Sequence, residues 1–201
     1  MPNTNSNIHP IFDSLISKDE KESFLNQKSL TIWMTGLSGS GKSTIARVLE
    51  QKLTKNKYFT KVLDGDNIRT GICNNLSFSK QDRIENIRRI AEVSKLFIDN
   101  GIITINSFIS PTEEIRVLAK SIIGEQNFFE IFVDASLKVC ENRDVKGLYA
   151  KARKGEIKNF TGISSPYEIP KNPNLIVDTS KLNVDQCVDK IMNSIKSKIQ
   201  H

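Results

Sequence analysis

The sequence predicts an α/β fold in three layers, with a mostly parallel sheet of about five strands flanked by helices. Short apolar runs typical of strands alternate with longer segments that have helical periodicity. The strand-like runs are almost continuously apolar, which is typical of parallel strands covered on both faces. With 201 residues, 38% of them hydrophobic and 26% charged, the chain has the size and composition of one globular domain.

The elements follow one another along the chain in strand–helix order. The predicted strands are Leu30–Gly36, Lys61–Gly65, Gly101–Ile109, Phe129–Ala135 and Asn174–Ser180. The predicted helices are Lys42–Lys55, Lys80–Asn100, Thr112–Ile123 and Val184–Ile199. Apolar residues recur at helical spacing in the long second helix, and short basic helical pieces follow the fourth strand.

Residues 1–28 are polar with weak periodicity, and we interpret them as a leader segment that packs on the surface or frays. Residues 29–201 are expected to form a single domain. Within it, residues 155–173 are the longest stretch without periodicity, and such a stretch in a compact domain is usually functional.

The composition also indicates the compartment. We see neither an apolar run long enough to span a bilayer nor the pattern of a secretory signal at the start. The three cysteines form no C-x-x-C pair, which favours free thiols in a reducing environment and predicts a cytoplasmic protein.

The net charge of +6 has two interpretations. Lysine-rich faces are commonly just solvated. However, two basic segments stand apart from each other, and with few aromatic residues between them they suit a small anionic ligand better than a nucleic-acid track. These segments contain Arg83, Arg88 and Arg89, and Lys146, Lys151, Arg153, Lys154 and Lys158. The charge by itself does not decide between the interpretations.

The segment "GLSGSGKS", Gly36–Ser43, fits the pattern G-x-x-x-x-G-K-[ST] and lies between the first strand and the first helix. Its glycines allow a tight turn whose amides can converge on phosphate, and the helix start adds positive charge. Lys42 would reach the β- and γ-phosphates of a nucleotide, and Ser43 would hold its Mg²⁺. The alternative is a chance glycine loop. The motif predicts the P-loop NTPase fold and an ATP-binding set of Gly36, Leu37, Ser38, Gly39, Ser40, Gly41, Lys42, Ser43 and Thr44.

A nucleotide site does not define a reaction. A GTPase needs a guanine-reading N-K-x-D sequence, and this chain has none. Motor and transporter ATPases normally need a longer chain. A small phosphotransferase is therefore the class that fits the size.

Two carboxylates and a guanidinium follow the second strand in "VLDGDNIRTG". Because the carboxyl ends of parallel strands meet at one edge, Asp64 and Asp66 should face the phosphate loop. A carboxylate there can orient water on Mg²⁺ or accept the proton of an attacking hydroxyl, and Arg69 can hold an anionic group. The alternative is that D-G-D only forms a turn with an Asx hydrogen bond.

The motifs "GLSGSGKST", "LDGDNIR", "DRIENIRRIAEV", "FISP", "KGLY", "KAR" and "NFTGISSPYE" occur in this order. In these motifs the chain resembles the adenylylsulfate kinases, over roughly Leu30–Pro173. The resemblance implies transfer of the γ-phosphoryl of ATP, with Mg²⁺, to the 3′-hydroxyl of adenosine 5′-phosphosulfate (APS). The products are 3′-phosphoadenosine 5′-phosphosulfate (PAPS) and ADP, a step of sulfate activation. It also implies a homodimer, and the chain has no room for the fused ATP sulfurylase of some relatives.

The resemblance also implies where the acceptor binds. Arg69, Arg83 and Asn86 would hold its phosphosulfate and ribose, and the last two lie three positions apart on one helix, so they can face one ligand. Phe78 and Phe160 would sandwich its adenine, although either could be a core residue.

Asp66 is our candidate for the carboxylate near the attacking hydroxyl, with Asp64 supporting the metal's water or the substrate. The reverse assignment stays open.

A mobile basic lid, approximately residues 143–168, is implied as well. Arg143 would lie near the base of ATP, and Lys146 and Lys154 near phosphates, with solvated lysines as the alternative. Two positions depart from the family pattern. Ala150 stands where lysine is frequent, and Ser77 stands where glycine is usual before the aromatic residue.

Ser110 matches a serine described in the family as a phosphoserine intermediate. The residues themselves favour a different role, because Ser110 with Glu113 forms a capping-box pattern and Pro111 suits the first helical position. Direct in-line transfer needs no covalent intermediate. We therefore predict a helix N-cap and keep Ser110 as a candidate catalytic and substrate-binding residue.

Other functions stay open at this point. The chain could be another small P-loop kinase that acts on a nucleoside monophosphate or a sugar, or a nucleotide-binding regulator without catalysis. A third hypothesis is nucleic-acid binding through the basic segments. It predicts that the protein stays bound to a polyanion column in the presence of saturating ATP and APS. We expect the small-molecule substrates ATP and APS as partners, and neither nucleic acid nor a membrane.

Overall fold

The computed structural model describes residues 7–201 and contains one five-stranded sheet. The strand order is β2-β3-β1-β4-β5, and every neighbouring pair is parallel. The strands are β1 (Thr31–Thr35), β2 (Thr60–Asp64), β3 (Ile103–Ser107), β4 (Phe128–Asp134) and β5 (Leu175–Asp178). The predicted α/β class and the parallel five-stranded sheet are confirmed.

Eight α-helices accompany the strands in the described part of the chain. They are α1 (Lys18–Leu25), α2 (Lys42–Lys55), α3 (Gly65–Arg69), α4 (Lys80–Ile98), α5 (Glu113–Ile123), α6 (Leu137–Arg143), α7 (Leu148–Arg153) and α8 (Val184–Ile199). Helices α2 and α8 have the predicted bounds. Helices α1 and α3 were not predicted.

The sheet is covered on both faces, which gives the three layers. Along β1 the buried side chains alternate between two apolar cores, as the period of a strand requires. Ile32 and Met34 belong to the core that contains residues of α2 and α8, whereas Trp33 belongs to the core that contains residues of α4 and α5.

The segment before β1 is attached to the domain rather than free, although residues 1–6 of the predicted leader lie outside the described part. Helix α1 begins with a capping box between Ser17 and Glu20. Buried Glu22 accepts hydrogen bonds from the Ser29 amide and hydroxyl at 2.8 and 2.6 Å. Buried Gln27 donates to the Gly101 and Phe59 carbonyls at 2.7 and 3.0 Å. The division of the chain near residue 28 stays a prediction.

Across residues 7–201 we find no helix with the length and apolar character needed to cross a bilayer.

Candidate active site

The phosphate loop, Gly36–Ser43, connects β1 to α2, and it has room only for glycine at some positions. A Cβ added to Gly36 would lie 2.5 Å from the Val133 carbonyl oxygen and 2.8 Å from Ser40 Oγ. Gly39 and Gly41 have φ angles of +75° and +102°, a region that side chains disfavour. The loop therefore passes so close to β4 that its shape depends on these glycines.

Lys42 is the buried cation of this loop, with 7% of its surface exposed. Its Nζ donates to the Gly36 and Leu37 carbonyls at 2.9 and 2.8 Å. Burial lowers the pKa of Lys42 to about 8, although the Asp64 carboxylate nearby works in the opposite direction. A bound polyphosphate would favour the ammonium form, because an opposite charge stabilises it in a poorly solvated site.

Asp64 lies next to the phosphate loop. Its Oδ2 accepts a hydrogen bond of 2.6 Å from Ser43 Oγ, which is also 3.3 Å from Ser107 Oγ. Its Oδ1 accepts from the Asp66 amide at 3.1 Å and so caps helix α3. The turn interpretation of D-G-D is therefore correct for Asp64, and its functional role stays a prediction. These oxygen donors are of the kind that Mg²⁺ prefers.

Asp66 extends into the cavity from the first turn of α3, and its side chain is 69% exposed. It forms an ion pair with Lys146, which follows helix α6 in the predicted lid. The two carboxylates of D-G-D thus have different environments: Asp64 contacts the phosphate loop, and Asp66 contacts the lid.

The predicted acceptor residues meet around Phe78. The Arg69 guanidinium lies 4.3 Å from the centroid of the Phe78 ring and donates to the Leu76 and Ser77 carbonyls. Arg83 lies 5.8 Å from the same centroid. Burial lowers the pKa of both guanidiniums, which still remain charged at neutral pH.

Arg83 also joins helix α4 to the predicted lid. Its Nε donates to the Phe78 carbonyl at 3.0 Å, its Nη1 to Thr161 Oγ1 at 2.8 Å, and its Nη2 to the Asn159 carbonyl at 2.5 Å. One guanidinium therefore connects the loop before α4 with residues 159–161 of the predicted lid.

Asn86 offers an unused hydrogen-bond acceptor. The residue is 4% exposed and lines the cavity, and its Oδ1 has no partner among residues 7–201. A buried amide oxygen without a partner is costly, so this atom is suited to accept from a ligand.

One cavity of about 700 Å³ brings most of the predicted residues together. The predicted residues that line it are Ser38, Gly39, Gly41, Lys42, Ser43, Thr44, Asp64, Asp66, Arg69, Phe78, Arg83, Asn86, Ser110, Arg143, Lys146 and Phe160. The predicted acceptor residues therefore line the same space as the phosphate loop.

Four predicted residues lie outside this lining. Gly36 and Leu37 contact the site through their carbonyls, which accept from Lys42. Ser40 belongs to the loop and is fully buried. Lys154 lies at the C-terminal end of α7, and its role in substrate binding stays a prediction.

The cavity has a second end that the sequence analysis did not identify. Arg143 Nη2 donates to the Thr179 carbonyl at 2.7 Å, after strand β5. The lining beyond it is formed by Thr179, Leu182, Asn183, Val184 and Cys187. The rule that strand ends converge at one edge could have predicted this part, because β5 ends just before it.

The predicted helix cap at Ser110 is wrong. Helix α5 begins at Glu113, its N-cap position is Thr112, and neither Ser110 nor Thr112 caps it through a side chain. Instead the Glu113 amide donates to Glu168 Oε2 at 2.7 Å. A carboxylate from the end of the predicted lid takes the partner that the local pattern had assigned to Ser110.

Ser110 has a different position. Its φ angle is +38°, and it is 2% exposed. Its Oγ accepts from the Trp33 indole nitrogen at 3.0 Å, and its carbonyl accepts from Arg116 Nη1 at 2.9 Å. These contacts place Ser110 in the cavity wall with its hydroxyl directed to the Trp33 indole.

The sequence model for adenylylsulphate kinase matches residues 28–178. An adenylyl-sulfate kinase from Bacteroides thetaiotaomicron is 58% identical over 195 residues, which cover 97% of this chain and 97% of that one.

Solved structures show the same similarity. The structure of the Mycobacterium tuberculosis APS kinase in complex with AMPPNP and APS has a TM-score of 0.82 at 45% identity, and it covers 84% of this chain and 98% of that chain. A hexameric APS kinase from Thiobacillus denitrificans has a TM-score of 0.65 at 30% identity, and it covers 86% of this chain and 30% of that chain.

Proposed function

The chain belongs to the adenylylsulphate kinase family, and on this premise we propose that it phosphorylates APS on its 3′-hydroxyl with ATP. The chain is an ATP-dependent kinase, a phosphotransferase with an alcohol acceptor. The 3′-oxygen bonds to the γ-phosphorus as the bond from that phosphorus to the bridging oxygen breaks. PAPS and ADP are the products. The observation that supports this function best is the single cavity that joins the phosphate loop to the acceptor residues.

At the donor end, the phosphate loop and Lys42 bind the polyphosphate of ATP. The Lys42 ammonium lies within the loop, where it can accompany the charge that moves from the γ-phosphate to the leaving ADP. Arg143 would contact the base of ATP together with the lining after β5, and its contact with the Thr179 carbonyl supports this role.

Magnesium is part of this proposal. Ser43, Asp64 and Ser107 present clustered oxygen atoms beside the loop, a donor set that suits a small, hard cation. When bound with ATP, the ion would neutralise charge on the β- and γ-phosphates. Asp64 supports such an ion through its contact with Ser43, and this leaves Asp66 for the acceptor.

At the acceptor end, the two guanidiniums and Asn86 supply charge and hydrogen bonds for the phosphosulfate and ribose. Phe78 is 57% exposed beside the cavity and would stack on adenine, with Phe160 as the second aromatic residue. Asp66 then accepts the proton of the 3′-hydroxyl or orients it. Its ion pair with Lys146 has to open or be shared when APS enters.

We also propose a homodimeric, cytoplasmic enzyme that binds neither nucleic acid nor a membrane. The relative from Thiobacillus denitrificans is hexameric, so light scattering on a sizing column is the direct measurement of the assembly. The three cysteines are free and buried, which is compatible with a reducing compartment.

An ADP-release assay tests the function. We expect ADP release from ATP that depends on APS and that is absent with AMP as acceptor. Release with AMP but not with APS would favour another nucleotide kinase, and no stimulation by either would favour a regulator without catalysis.

A further inference from the structure

Tyr149 lies on the lid helix α7 and contacts both halves of the cavity. It belongs to the motif "KGLY", and the proposed reaction assigns it no role. The residue lines the cavity and is 3% exposed, so its position is fixed by neighbours rather than by solvent.

On the donor side, the Tyr149 hydroxyl donates to the Ser38 carbonyl at 2.8 Å. Ser38 belongs to the phosphate loop, between Gly36 and Gly39. Burial raises the pKa of Tyr149, so the phenol remains protonated and remains a donor. A change in the shape of the loop would therefore act directly on this side chain.

On the acceptor side, the Tyr149 ring packs edge-on against Phe160, with the centroids 5.0 Å apart and the planes at 79°. Phe160 is one of the aromatic residues proposed to hold the adenine of APS. Its neighbours Asn159 and Thr161 accept hydrogen bonds from Arg83, so the same short segment also fixes a guanidinium of the acceptor group.

The backbone at Tyr149 is held as well. Asp144 Oδ1 accepts from the Tyr149 amide at 3.0 Å, and Asp144 Oδ2 accepts from the Ala150 amide at 3.0 Å. An aromatic side chain has only two rotatable bonds, so a ring held at its backbone and at its hydroxyl is a stiff connection.

We propose that Tyr149 is a positioning residue that couples the binding of the two substrates, by connecting the phosphate loop to the aromatic residue that holds the acceptor adenine. When ATP fixes the loop, the Ser38 carbonyl holds the Tyr149 ring in place through its hydroxyl. The ring in turn holds Phe160 in the position that contacts the adenine of APS. Coupling between two sites is reciprocal, so APS strengthens the binding of the donor by the same factor. This proposal rests on the proposed function, because it takes APS as the acceptor.

The test is calorimetric titration of APS in the absence and in the presence of saturating AMPPNP. The ratio of the two dissociation constants is the coupling factor, which we expect to be at least about fivefold in the wild-type protein. Tyr149→Phe keeps the edge-on ring and removes the hydroxyl, and it should lower the factor by at least about twofold, toward one. APS affinity without AMPPNP should change little.

Tyr167→Phe is the matched control. It also removes a part-buried tyrosine hydroxyl, which lies 3.0 Å from Thr35 Oγ1, but Tyr167 lies outside the lining of the cavity that Tyr149 lines. Its coupling factor should stay within about twofold of the wild-type value. Thermal melts of both variants show whether they fold.

Phe160→Leu keeps the proposal testable if Tyr149→Phe does not fold. It breaks the connection at its other end and should also lower the coupling factor, in addition to weakening APS binding. If both variants fold, their effects on the coupling factor should be non-additive in the double variant.

An unchanged factor in Tyr149→Phe, or an equal loss in Tyr167→Phe, would overturn the proposal. A wild-type factor of one, with normal APS turnover, would overturn it while leaving the proposed function intact. A wild-type protein that neither binds APS nor phosphorylates it would refute the function itself.

Discussion

The donor end and the acceptor end of the cavity are built differently. The donor end is backbone and buried charge: Gly36 lies against β4, and Lys42 is 7% exposed. The acceptor end consists of side chains that reach the cavity from several elements, among them Phe78 at 57% exposure and the ion pair of Asp66 with Lys146.

This difference has a functional consequence. Once ATP has fixed the loop, a cradle of backbone and buried charge can stabilise charge in the transition state with little further reorganisation, which is how electrostatic catalysis is most effective. An acceptor end held by exchangeable side-chain contacts can open for APS and close again. Changes at the donor end should therefore lower kcat most, and changes at the acceptor end should raise the KM for APS most.

The largest effect is expected for Lys42→Ala. Removing the buried ammonium should lower kcat by about 10³-fold, because the variant loses the charge beside the moving phosphoryl group. Steady-state ADP release with APS measures it. Lys55→Ala, at the exposed far end of α2, is the control and should retain wild-type turnover. A near-normal kcat in Lys42→Ala would contradict the donor assignment.

The pH dependence of donor binding is the second test of the donor end. Because burial lowers the pKa of Lys42 from 10.5 to about 8 in the unliganded protein, the ammonium is lost above that pH unless phosphate restores it. The dissociation constant of AMPPNP should rise above pH 8, by up to about tenfold per pH unit, as measured by calorimetry. Lys42→Met should show no such rise, and a flat wild-type profile from pH 7 to about 9.5 would refute the assignment.

The same titration affects stability with a defined sign. Between the two pKa values the unfolded chain binds more protons than the folded one, so the free energy of unfolding of the unliganded protein should increase with pH there. Urea unfolding of the wild-type protein and Lys42→Met separates this contribution from those of other groups.

Arg83→Lys tests the acceptor end. Lysine keeps the charge but cannot make the three contacts of the guanidinium with Phe78, Asn159 and Thr161. We expect the KM for APS to rise about tenfold with a small change in kcat. Arg88→Lys, on the same helix and bonded to Glu85, is the control. A loss confined to kcat would contradict the proposed difference between the two ends.

Ser110→Ala should have the smallest effect on turnover. It leaves the buried Trp33 indole N–H without its acceptor, so the free energy of unfolding should fall by about 1–3 kcal/mol, as measured by urea denaturation. Turnover should persist. Complete loss of turnover with unchanged stability would favour the phosphoserine intermediate instead.

Local patterns predicted the donor end well. The glycine motif, the strand before it and the helix after it are all encoded within residues 30–55, and α2 has the predicted bounds. Asp64 lies at the expected edge, because the parallel strands β1 and β2 both end there, next to the phosphate loop.

What the sequence did not reveal depends on distant partners. Ser110 fitted a capping box, but Glu168 accepts from the Glu113 amide and the Trp33 indole donates to the Ser110 hydroxyl, and both partners are far away in sequence. Helix α3 is too short to show periodicity, and the two strongly apolar residues of α1, Phe24 and Leu25, are adjacent rather than at helical spacing. The lining after β5 carries no motif, so only the topology could have indicated it.

The central claim is that APS receives the γ-phosphoryl group across the shared cavity. Incubation with APS and ATP labelled in its γ-phosphate, followed by mass spectrometry and phosphorus NMR of the products, tests it directly. The label should appear on the 3′-oxygen of APS, in an amount equal to the ADP formed. Label found only in inorganic phosphate, or on another position of the acceptor, would contradict the claim.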